Sequence, residues 1–295
     1  MQKGRFSAPH RPSRTWPAGF LPGSRGAARI LLMVLGTVFC VCAIGLALCL
    51  IHLSSARRNF QSLSQAVQEY VPEVTAPPKV PATDPQAPEA QPEALVPKET
   101  EQAEAEMLPQ YAALYARNPD LFGWLRIEGT AIDYPVMYSP GDPERYLHAN
   151  FAGDYSFSGV PFVDGSCTAD SDNLIIYGHN MLDGSMFRSL LDYQYKAFWQ
   201  EHPTIAFDTL YEQGEYEVLA SFYDRVYYEY ETNFKFYRFI DAKDPADFDN
   251  AMENFQKKRI YDTGVTASYG DRLITLVTCA YHTQNGRFVV VARKK

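Results

Sequence analysis

The chain has 295 residues, 46% of them hydrophobic, and a net charge of -8, which suits one or two domains with an ordinary core. Residues 1–58 carry eight Lys or Arg and no Asp or Glu, leaving 19 basic and all 35 acidic residues to the remainder. So acidic a body argues against nucleic acid as its partner, while the basic head suits an anionic membrane surface. No close Cys/His zinc spacing, Gly-rich phosphate loop or EF-hand pattern occurs, so neither metal nor cofactor is expected. Asp142 and the run 170–172 read as solvated loops.

Residues 1–29 hold Pro, Arg and Gly without periodicity and read as a disordered, cytoplasmic basic tail. Ile30–Ile51 is 22 residues without a formal charge. At ~1.5 Å per residue it spans roughly 33 Å, enough for a bilayer core of ~30 Å. It is apolar all round, unlike a core helix with a polar face, and longer than the usual signal-peptide core. Ser54-Ser55-Ala56 still leaves cleavage open. A transmembrane helix over 30–53 is therefore predicted. Six basic residues precede it and only Arg57 and Arg58 follow closely, which puts the N-terminus in the cytoplasm and the body outside. Cys40, Cys42 and Cys49 lie in the span and read as small apolar residues. Ser54–Tyr70 reads as an outward continuation of the helix. Eight prolines between Pro72 and Pro97 make an extended, semi-rigid spacer, so that 54–103 forms a stalk and linker.

From Glu104 to Lys295 the chain is aromatic-rich and reads as one domain. Glu104–Arg117 is predicted as a helix stopped by Asn118-Pro119. Strands are predicted over Leu121–Ile127, Ile132–Tyr138 (broken by Pro135), Gly159–Val163 and Asn173–Tyr177. Met186–Tyr193 and Tyr195–Glu201 read as short helices. Thr204–Phe207 and Tyr216–Tyr223 are strands. Pro245–Lys258 is the clearest helix, with Ala246, Phe248, Met252 and Phe255 on its apolar side. Leu273–Thr278 and Phe288–Ala292 close the chain. The pattern is mostly β with inserted helices, a mainly antiparallel β-barrel or closed sheet.

Cys279 stands where the strand Leu273–Thr278 stops, and Arg287 where the next begins, after the turn signal Asn285-Gly286. A thiol facing a guanidinium favours thiolate chemistry. His179, after the strand Asn173–Tyr177 and Gly178, is a candidate acid/base. Each has a plainer reading: a structural cysteine, a surface arginine, an exposed histidine. His148, His202 and His282 are rivals. Cys167 and Cys279 are the two cysteines outside the span, and one disulfide between them is an alternative.

Thr275-Leu276-Val277-Thr278-Cys279 resembles the TLxTC signature of sortases, the membrane-anchored cysteine transpeptidases of Gram-positive bacteria. Tyr177-Gly178-His179-Asn180 resembles the segment carrying that family's histidine, and Arg287 matches its arginine. Asp120-Leu121-Phe122-Gly123-Trp124-Leu125, with a helix between the Tyr216 and Leu273 strands, is similar to class B in particular. The resemblance covers 104–295, the catalytic domain. It implies a closed eight-stranded barrel and catalytic roles for His179, Cys279 and Arg287, with Thr278 contributing to substrate contacts. It implies as partners exported proteins bearing a C-terminal sorting signal, and an amine acceptor from a peptidoglycan precursor or, alternatively, a pilin lysine. An exported cysteine hydrolase and a non-enzymatic surface-binding domain are the competing readings.

Overall fold

The computed structural model describes residues 24–69 and 106–295. The predicted basic tail falls mostly, and the Pro-rich spacer wholly, outside them. Two compact units are bounded Met1–Ser54 and Ser55–Lys295. A continuous helix, α1, runs Ser24–Gln68. Its stretch Arg29–Leu48 has a mean hydropathy of 2.7 and no buried residue, so it is long and apolar enough to cross a membrane.

In the second unit the last turns of α1 belong to the core. Phe60 and Leu63 are buried, and the Phe60 ring meets Tyr134 edge-on at 5.2 Å. Ser64 donates to Asp133, whose other oxygen accepts the Trp124 indole N–H at 2.7 Å. The predicted outward continuation of the helix is thus part of the folded body.

Eight strands follow: β1 Leu121–Arg126, β2 Asp133–Met137, β3 Phe162–Val163, β4 Asn173–Tyr177, β5 Thr204–Thr209, β6 Glu215–Arg225, β7 Leu273–Cys279 and β8 Gly286–Lys294. They close into a barrel in the order β1-β2-β3-β4-β7-β8-β6-β5. The barrel is less uniformly antiparallel than the sequence suggests, because β2·β3 and β4·β7 are parallel pairs. β4 and β7 are apolar along almost their whole length, as strands covered on both faces must be. The predicted strand over Gly159–Val163 shrinks to two residues. Gly159 takes φ +57° there, with the carbonyls of Tyr146 and Leu147 packed where a Cβ would stand.

Helix α2 is Pro109–Arg117, shorter than predicted because Pro109 opens it. Arg188–Gln194 forms a 3₁₀ segment rather than a helix from Met186, and α3 is Lys196–Glu201. Helix α4, Pro245–Lys258, starts where Asp244 accepts the Asp247 N–H at 2.9 Å. It buries Phe248, Ala251, Met252 and Phe255. Ala246 is exposed, because the buried stripe runs from Phe248 and passes to its side. Phe255 stacks on Phe222, so α4 covers the β6 face from which Phe222 and Asp224 project.

Candidate active site

The ladder of β4 and β7 sets the site. Tyr177 pairs with Val277 in parallel register, and the Gly178 N–H continues the ladder to the Val277 carbonyl at 3.1 Å. His179 and Cys279 each stand two residues past that pair, at the same end of the two parallel strands. On the other side of β7, Cys279 pairs directly with Arg287 of β8. The three residues therefore gather at one end of the barrel, where adjacent strands finish or begin, each half-buried.

Gly178 is required by close approach: a Cβ there would sit 2.6 Å from the Phe187 ring. That ring is fully buried, and the Phe187 N–H donates to the His179 carbonyl at 2.9 Å. The imidazole Nε2 lies 2.9 Å from the Leu147 carbonyl, and the His148 ring is 5.6 Å away. Arg287 Nη1 donates to the Gly286 carbonyl at 3.0 Å. Its positive charge also reaches the Tyr177 phenol. Burial and the Asp164 carboxylate nevertheless hold that phenol well above its ordinary range. Gly286 admits no side chain, since a Cβ would stand 2.2 Å from the Ala280 carbonyl.

Thr278 points to the opposite face, almost wholly buried, and its hydroxyl donates to the Gly178 carbonyl at 2.8 Å. It braces the histidine segment to β7, and only its backbone remains for the substrate contact implied by resemblance. Asn180 does related work that sequence reasoning left unassigned, since its amide donates to the Cys279 carbonyl at 3.0 Å. The signal was its place directly after the histidine.

The rival histidines separate by position. His202 packs on Phe198 beside Gly129, before the start of β5, and His282 packs on Tyr223. His148 is exposed and stands beside His179. Cys167 and Cys279 are both free, so the alternative disulfide is absent. Cys167 lies near Asn173 at the start of β4, with its Sγ 3.6 Å from that residue's carbonyl, whereas Cys279 ends β7, roughly 20 Å along the strands. Burial pushes the Cys167 thiol up to about 11. Among the described residues, no three His, Cys, Asp or Glu side chains are grouped to hold a metal.

The chain belongs to the sortase family, whose Sortase domain model matches residues 125–295. Within it the chain is most like class B, and the protein is a sortase-type cysteine transpeptidase. Sortase B of Listeria monocytogenes is 36% identical over 197 residues, 65% of this chain and 76% of that protein. Sortase B of Staphylococcus aureus is 31% identical over 63% of this chain and 74% of its own length. Among solved structures, a Staphylococcus aureus sortase B–substrate complex shares the fold, with a TM-score of 0.65 and 24% identity over 83% of this chain and 98% of the other. Sortase B of B. anthracis in complex with AAEK1 gives a TM-score of 0.63 at 25% identity, over 83% and 98%.

Proposed function

We propose that this chain is a membrane-anchored transpeptidase that cleaves a C-terminal sorting signal and transfers the exported protein to an amine of the cell wall. The observation that carries this is Cys279 of β7 paired with Arg287 of β8, with His179 two residues past the end of the neighbouring β4. The Cys279 sulfur attacks a peptide carbonyl of the signal, and the oxygen takes negative charge. Arg287 supports that charge and holds the substrate. His179 gives a proton to the leaving amine, the C–N bond breaks, and a thioester remains. An incoming amine then attacks the thioester, passes its proton to His179, and releases the Cys279 thiolate. Asn180 and Thr278 fix the backbone on which the thiol and imidazole stand. The apolar part of α1 is the anchor, residues 1–29 lie in the cytoplasm, and residues 54–103, whose helical turns at Phe60 and Leu63 pack on the body, connect it to an extracellular catalytic domain over 104–295. The acceptor is a peptidoglycan precursor amine, as the basic head and spaced, exported body suit work beside a membrane.

The test is intact mass of the full chain in detergent, incubated with sorting-signal peptides and an amine, beside Cys279→Ala. A transient acyl adduct on the wild type only, with peptide joined to the amine, is expected. Cleaved peptide without amine product would favour the hydrolase reading. A Cys279 inert to small alkylators in the folded protein would sink the nucleophile assignment.

A further inference from the structure

The pairing across strands does not stop at Arg287. On its far side β8 pairs with β6, and Arg287 stands directly opposite Asp224. Paired residues project to the same face with Cβ atoms ~4.5–5.5 Å apart, within reach of an arginine–carboxylate ion pair. No such pair forms: among the described residues Arg287 makes no ion pair, and its Nη1 donates to a backbone carbonyl. The Asp224 side chain is buried and already filled. One oxygen takes Lys258 from the last turn of α4, and the other takes the Tyr227 hydroxyl at 2.6 Å and the Arg225 N–H at 2.9 Å. The Arg225 guanidinium is itself paired with Glu231.

We infer that Lys258 is a positioning residue: by occupying Asp224 it keeps the Arg287 guanidinium free to face Cys279 and its substrate. This rests on the role proposed for Arg287. A buried carboxylate stripped of its cation is left as an uncompensated charge, a strain that a neighbouring cation relieves by moving onto it. With Arg225 held by Glu231, that cation is Arg287, which would swing toward Asp224 and away from the thiol. The helix between β6 and β7 thereby governs the site without touching the substrate.

The readout is the ratio of Cys279 alkylation rates by anionic iodoacetate and neutral iodoacetamide, scored on the Cys279 peptide by mass spectrometry in the full chain. An available guanidinium favours the anion; Arg287→Gln gives the floor. Lys258→Met is expected to lower the ratio by about fivefold, the scale of one nearby charge near a wet surface. Lys258→Arg is expected to keep the ratio, and Asp224→Asn/Lys258→Met to restore it to within about twofold. Recovery in the double variant is the part that a merely structural role of Lys258 would not give. If Lys258→Met keeps the wild-type ratio, or the double variant stays as low as Lys258→Met, the inference is overturned. Should Lys258→Met not fold, Lys258→Gln and the double variant carry the same comparison. An unchanged ratio in Arg287→Gln would overturn the role of Arg287 and this inference with it. A low ratio there with no change in Lys258→Met would overturn this inference alone.

Discussion

Gly178→Ala is the sharpest probe of how the histidine is placed. The added Cβ would meet Phe187 at 2.6, 2.7 and 2.9 Å, against ordinary carbon contacts of ~3.5–4.0 Å, so the ring must retreat by about 1 Å. Phe187 is fully buried, its N–H holds the His179 carbonyl, and its own carbonyl accepts from Leu190. The ring can move only by carrying the histidine segment with it. Overpacking of this kind costs about 1–3 kcal/mol. For a body of this size 2 kcal/mol corresponds to a fall in Tm of about 4–8 °C. A displacement near 1 Å of an acid/base group costs about 100-fold in rate. Calorimetry and the kcat/KM of peptide transfer should therefore fall together, while alkylation of Cys279 by neutral iodoacetamide changes little. Phe187→Leu in the same chain should recover part of both. A Gly178→Ala protein with wild-type Tm and kcat/KM within twofold of wild type would refute the account of His179.

Asn180→Ala removes the donor to the Cys279 carbonyl and should lower kcat more than it raises KM, read by steady-state transfer kinetics. Thr278→Val keeps the volume but strands the Gly178 carbonyl; denaturant unfolding should show a loss of about 1–3 kcal/mol, recovered by Thr278→Ser. Burial raises the Cys167 thiol from its ordinary 9.0 to about 11, so its stabilisation is full below 9.0 and is lost as pH rises toward 11. Melting between pH 8 and 11 should fall less steeply in Cys167→Ala. Phe255→Ala empties a fully buried site packed by Phe222, Phe234 and Phe239 and should cost about 3–5 kcal/mol by chemical denaturation.

The thiol, imidazole and guanidinium were legible because each stands at the end of an apolar, β-branched run, a local signal. Which strands lie side by side was not. Periodicity says that Asn173–Tyr177 and Leu273–Cys279 are buried, but not that they run parallel to each other. The helix α4 was found from its apolar spacing, and the Ala246 error came from reading size without geometry. The packing of Phe60 and Leu63 against the barrel escaped notice because a polar-looking stretch after an apolar span carries no sign of its partner. Asp224 looked like any strand-end carboxylate; its meaning depends on Lys258, 34 positions away, and on the strand across from it.

The β4·β7 ladder joins Asn173 to Leu273 and Tyr177 to Val277, so the imidazole and thiol are brought together by closing about a hundred residues of chain. Contacts of such sequence separation form late, after hairpins such as β7–β8 and local helices have settled. A partly folded molecule therefore holds a thiol beside an arginine but has no imidazole at the same strand end. Acyl transfer thus depends on the β4·β7 closure of the barrel as well as on the thiol itself.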